Sequence, residues 1–298
     1  MSLKDFIRSL TPTALLKLNR KRKKSKRDAE LLAQSKNGKS ISQQDLEADF
    51  KRIGLVAGDV VLIHSSLSKI GHLKDGAKTF VDALQNSIGS TGTILMPTSP
   101  NAVYQADYIR TLKEFDVLNT PSKTGKITEY FRTSPNVKRS LHPTEPVSVW
   151  GDNQDYFIKG HFNQLTPYTK ESPFFKVGEK GGKILFVGVT LSMAGTSLHT
   201  LEDAVDFKFP VYLDKIFDVD VIDENGKHHL IKTKVHNPEF SKKRRCDDLI
   251  PMFEAEGALQ KVKIGEAHTL LFDAKKFFDA MVKNYHENGV TMYTPFGS

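Results

Sequence analysis

Cysteine is almost missing from this chain. The single Cys246 can close no intrachain disulfide and cannot supply a cysteine cluster for a metal, which points to a reducing compartment, the cytoplasm. Long apolar runs are missing as well, none approaching the roughly 18 residues of a membrane span. The first residues carry charges inside their apolar stretch and no small-residue cleavage pattern, so they do not read as a secretory signal. There is no dinucleotide-binding glycine fingerprint, no HExxH and no GxSxG elbow. The run Gly178-Glu179-Lys180-Gly181-Gly182-Lys183 lacks the spacing and the closing hydroxyl of a phosphate loop and reads as a turn into a strand. His228, His229 and His236 lack zinc-site spacing and read as surface histidines on or beside a polar hairpin; no metal is expected.

Acidic charge is scarce only at one end. The 298 residues carry a formal net charge of +8, yet residues 1–30 hold ten basic side chains against three acidic ones. The remainder is close to neutral, so the basicity belongs to an N-terminal arm. That arm admits three readings: a solvated, partly helical segment, a weak contact with anionic lipid or a partner, or a nucleic-acid arm. No base-reading module or interleaved aromatics accompany it, so no nucleic acid is required. Residues 1–40 thus form a basic arm and linker, with Leu3, Phe6, Ile7, Leu10, Leu15, Leu16 and Leu18 near helical spacing, and residues 41–298 form one globular domain.

The domain opens at Ser42, an N-cap with Asp45 three residues on. Val60–Ile63, Thr93–Met96 and Lys183–Val189 are short apolar runs continuous enough for strands buried on both faces. Helical spacing separates them, at Leu46, Phe50 and Ile53, at Phe80, Val81, Leu84 and Ile88, and after Gly125. Two alternating runs flank Asn225-Gly226, a strong hairpin signal, and an apolar helix around Phe277–Tyr285 closes the chain. The pattern predicts an α/β class: an α/β/α layered sandwich on a mixed sheet, with a C-terminal antiparallel hairpin.

Polar clusters recur at or near the strand ends, where ligands of open α/β sheets gather. They are His64-Ser65-Ser66-Leu67-Ser68, Pro97-Thr98, Thr120-Pro121-Ser122-Lys123-Thr124-Gly125, Arg139-Ser140-Leu141-His142-Pro143 and Thr196-Ser197-Leu198-His199-Thr200-Leu201-Glu202. In the last, helical spacing would put Thr196, His199 and Glu202 on one face: a hydroxyl donor, a base and a carboxylate to orient it. The same spacing fits equally well a helix start capped by Thr196, with a satisfied histidine and an exposed glutamate.

In order and interval, these five clusters resemble the aminoglycoside 3-N-acetyltransferase family, from about residue 42 to 290. Asp247-Asp248, Glu256-Gly257 and Ile264–Ala267 are similar to its C-terminal region. The resemblance implies transfer of an acyl group from acyl-coenzyme A to an amine of a sugar-like acceptor. It implies a catalytic His199 with Glu202 as partner and Thr196 near the reacting carbonyl. It also implies a coenzyme A cleft at Ser65, Ser66, Leu67 and Ser68, at Thr98, and at Ser122, Lys123, Thr124 and Gly125. Arg139 and the neighbouring His142 are assigned to the same donor cleft; Lys123 and Arg139 are candidate phosphate partners or ordinary surface cations. A near-neutral body and the basic Lys242-Lys243-Arg244-Arg245 favour a nucleotide-linked amino sugar for surface polysaccharide. An aminoglycoside is the alternative acceptor. A binding protein with an inactive domain is the reading of another class.

Overall fold

The computed structural model describes residues 13–101 and 104–297. The spacing seen over residues 3–10 therefore lies outside the described residues. Among the described residues there are ten strands: β1 (Val60–Ser65), β2 (Thr93–Pro97), β3 (Glu114–Asp116), β4 (Lys138–Arg139), β5 (Val147–Gly151), β6 (Lys183–Val187), β7 (Phe217–Ile222), β8 (His228–Thr233), β9 (Leu259–Ile264) and β10 (Ala267–Asp273). Seven form one mixed sheet in the order β4-β5-β2-β1-β6-β10-β9, with β2, β1 and β6 parallel. Antiparallel β5 and β10 flank that parallel centre.

The continuous apolar runs are buried on both faces because the two-residue period sorts them into separate layers. Leu62, Leu95, Ile184 and Phe186 face one core, with the helices Pro173–Glu179 and Ala274–Asn288. Val61, Ile63, Ile94, Met96, Leu185 and Val187 face the other, with Gln43–Arg52, Ala77–Ile88 and Lys126–Arg132. This is the expected α/β/α sandwich. Ser42 caps its helix through a reciprocal capping box with Asp45, and the Gly181 turn leads into β6.

The hairpin at Asn225-Gly226 is present, but it does not extend the main sheet. β7 and β8 join β3 in a separate three-stranded sheet over its own apolar cluster, which includes Phe115, Val221 and Ile231. A second hairpin, β9–β10, supplies the edge of the main sheet. It was not expected because its turn carries a single glycine, Gly265, rather than an Asn-Gly pair.

The strand order fixes where a ligand can enter. β2 and β6 leave opposite sides of β1, so the order reverses there and opens a crevice beyond the carboxyl ends of the strands. Among the described residues no helix is long and apolar enough to cross a membrane.

Candidate active site

The segment after β6 is a 3₁₀ turn, Thr196–His199, running into the short helix Thr200–Ala204. It carries His199 to Glu202: Nδ1–H donates to Glu202 Oε2 at 2.9 Å. Glu202 is buried, not exposed as the helix-cap reading had it. Its other oxygen accepts the Tyr293 hydroxyl at 2.6 Å. His236 Nε2–H donates to the oxygen His199 uses, at 2.8 Å. A carboxylate can only accept, so both imidazoles must present N–H to it, and His199 Nε2 is left as its basic nitrogen.

His236 corrects the surface-histidine expectation. His228 is exposed beside Asp220, and His229 pairs with Asp223. The chain then turns inward after β8, through a bridge between Tyr212 and His236, and buries the third histidine. Tyr212 stacks on His236 at 4.5 Å and Tyr168 on His199 at 4.9 Å. The backbone N–H of His236 donates to Gln105, whose amide donates to Glu145 at 2.7 Å, extending the network towards the β2 end. His199, Glu202 and His236 could in principle hold a metal ion together. Their 2.8 and 2.9 Å separations are N–H···O distances, which makes the cluster a hydrogen-bonded dyad with a second donor.

Burial pushes the His199 imidazole down to about 3, against the pull of Glu202, so it stands neutral as a base. Burial would raise Glu202, but the two histidines overcome it and hold the carboxyl below its ordinary range. Burial lifts Asp203 to about 6, although Tyr212 and the Tyr168 N–H both donate to it. Thr196 Oγ1 is buried and has no hydrogen-bond partner.

The other clusters converge on the ends of β1 and β2. Thr124 Oγ1 donates to Pro97 O at 2.9 Å and pairs with Ser122. Lys123 N–H donates to Ser99 O, leaving its side chain exposed. Gly125 adopts φ +140, a conformation reserved for glycine, and a Cβ there would lie 3.9 Å from Ser65 O. Ser66 N–H donates to Val187 O, tying Ser65–Ser68 to the end of β6. Ser65 Oγ is buried and unpaired.

Arg139 is neither a surface cation nor free for a phosphate. It is buried, with Nε on Thr98 Oγ1 at 3.1 Å, Nη1 on Thr120 O at 2.6 Å and Nη2 on Thr98 O. Its place lies under the β2 end, holding Thr98 and Thr120 in position. His142 is likewise buried, stacked on His161 at 4.8 Å. In the basic run, Lys242 pairs with Glu239, Arg245 with Asp248, and Lys243 lies over Phe240. Only Arg244 turns inward, beside Tyr293, where its charge faces Glu202.

Sequence reasoning missed His236, Tyr293, Tyr168 and Gln105. No local signal marked His236: the alternation of Ile231, Thr233 and Val235 puts position 236 in the outward register, and only the return of the chain after β8 buries it.

The family model described as aminoglycoside 3-N-acetyltransferase matches residues 62–286. The SPbeta prophage-derived aminoglycoside N(3')-acetyltransferase-like protein YokD of Bacillus subtilis (strain 168) is 27% identical over 267 residues, 83% of this chain and 93% of that protein. Aminoglycoside N(3)-acetyltransferase IV of Salmonella sp is 30% identical over 160 residues, 53% of this chain and 57% of that protein. The solved AAC-IIIb binary with CoASH is similar in fold, with a TM-score of 0.68 and 24% identity over 82% of this chain and 95% of that one.

Proposed function

The chain belongs to the aminoglycoside 3-N-acetyltransferase family and is accordingly an N-acyltransferase; from that premise we propose that it moves an acetyl group from acetyl-coenzyme A to an amine of an aminoglycoside-type amino sugar. The expected nucleotide-linked sugar gives way to this acceptor. Its argument was the basic run, and three of those four charges are spent on surface partners. The relatives from Salmonella sp are aminoglycoside N(3)-acetyltransferases IV and III.

The observation that carries the mechanism is the His199 Nδ1–H···Glu202 contact at 2.9 Å, which leaves Nε2 as the base. In this reading Nε2 takes a proton from the acceptor amine as its nitrogen attacks the thioester carbon. The carbonyl oxygen becomes an oxyanion, for which the unpaired Thr196 hydroxyl is the donor. Collapse breaks the carbon–sulfur bond, and His199 returns its proton to the departing thiolate. Glu202 supports the transient imidazolium, and Tyr293 and His236 hold Glu202 in place. The loops Ser65–Ser68 and Ser122–Gly125 are the proposed seat of the coenzyme, with the buried Thr98 supporting them from the end of β2.

The test is thiol release by the purified protein with acetyl-coenzyme A and a panel of aminoglycosides. Release above background that disappears in His199→Ala is expected. No release with any acceptor overturns the reading.

A further inference from the structure

The N-terminal basic helix, Thr13–Lys36, lies outside the family match yet is fastened beside the proposed coenzyme loop. Arg27, Leu31 and Gln34 are half-buried at i, i+4 and i+7, which defines the docked face. Arg27 Nε donates to Ser68 O at 2.7 Å. Arg27 Nη2 and Gln34 Nε2 take one oxygen each of Glu266, at 2.7 and 2.6 Å, and Gln34 Oε1 accepts from His72 N–H.

These contacts give the helix a direction. From Gln34 to Arg27 it passes from His72 to Ser68, towards the carboxyl end of β1. One turn further, about 5.4 Å along the axis, come Lys23 and Lys24, at i−4 and i−3 from Arg27 and so on the same face. Both are exposed, and no acidic residue occurs between Thr13 and Arg27 to neutralise them. Lys69, exposed on the short helix Leu67–Ile70, and Lys123, exposed on the Ser122–Gly125 loop, carry further positive charge on the segments that follow β1 and precede Lys126–Arg132.

We propose that this helix is a clamp for the phosphates of the acyl donor, with Lys23 and Lys24 overhanging the β1 end and closing on the anionic half of coenzyme A. The proposal rests on the acyl-coenzyme A reading above. It gives the near-neutral body a local cationic field where a polyanionic cosubstrate enters.

The experiment compares acetyl-coenzyme A with S-acetylpantetheine, which lacks the phosphates, on the full chain. Lys23→Glu with Lys24→Glu should raise KM for acetyl-coenzyme A about tenfold or more and leave kcat and the S-acetylpantetheine KM unchanged. Lys21→Glu with Arg22→Glu, on the opposite face, should move neither. Equal effects on both donors, or none, overturn the clamp. Calorimetry with coenzyme A alone separates this from the catalytic reading, since it needs no acceptor. About tenfold weaker binding in the Lys23/Lys24 variant supports the clamp even where no acceptor is turned over, and equal binding overturns it. Failure of the wild-type chain to bind coenzyme A overturns the clamp together with the donor assignment.

Discussion

His199 and His236 donate to the same oxygen of Glu202, at 2.9 and 2.8 Å, with their rings 4.2 Å apart. One carboxylate thus divides its basicity between two imidazoles: His199 gives it Nδ1–H and keeps Nε2, while His236 gives it Nε2–H and keeps Nδ1.

His236 is therefore a positioning residue with a measurable tuning effect. His236→Leu removes one donor from Glu202, and the hydrogen bond to His199 strengthens in compensation. The pKa of His199 then climbs from about 3 towards its ordinary value, and the acidic limb of kcat/KM moves to higher pH. Turnover should fall about tenfold, because Glu202 is less firmly placed, with KM for acetyl-coenzyme A within about twofold. His236→Gln, which retains an N–H donor, should restore part of the rate. A fall in kcat with an unmoved pH profile would reduce His236 to packing.

Glu202→Gln is the complementary test. An amide oxygen can still accept from both imidazoles, and the amide N–H₂ can donate to the Tyr293 hydroxyl oxygen, so the hydrogen-bond geometry survives. The transient imidazolium loses its counter-charge. Turnover should drop about 100-fold, with donor affinity, read by calorimetry, nearly unchanged. Unchanged turnover would leave Glu202 with a structural role alone.

The parallel centre of the main sheet, β2-β1-β6, and the His199–Glu202 pair were legible in the sequence because both rest on local periodicity. The buried strands announce themselves as short apolar runs, and His199 and Glu202 are three residues apart. What was not legible depends on distant returns of the chain. Tyr293 reaches Glu202 across 91 positions and His236 across 34. Arg139 looked like a cation for phosphate because nothing local shows that β4 is a buried edge, and only the fold places carbonyls around its guanidinium. The small sheet followed the same pattern, since β3 pairs with a strand about a hundred residues later.

Arg139 yields a prediction opposite to that of a phosphate ligand. Arg139→Ala leaves Thr98 O and Thr120 O without a donor in a buried setting, and should cost about 3–5 kcal/mol of stability, read as a lower urea midpoint. Arg139→Lys cannot span the same carbonyls and should recover little. A variant of native stability with selectively weakened coenzyme A binding would return Arg139 to the phosphate role.

Acid should destabilise this protein well above the carboxylate range. Burial pushes His64, His161 and His199 down to about 3 and also lowers His142 and His236. In the unfolded chain each titrates near 6.5, so as pH falls below that value the unfolded state binds more protons, for His64, His161 and His199 down to about 3. Stability is then fully present above 6.5 and is lost as pH falls through the window. Asp203 and Glu145, raised by burial to about 6 and about 7, act in the opposite sense, being protonated in the folded state while still ionised in the unfolded chain. Five histidines oppose two carboxyls, so the net slope follows the histidines. The urea midpoint should decrease steadily from pH 7.5 to pH 5, and His64→Leu, which removes one titrating ring from its stack on Phe186, should flatten that slope. A midpoint constant or rising over this interval would mean that the buried histidines are charged in the folded protein, and with them the base assigned to His199.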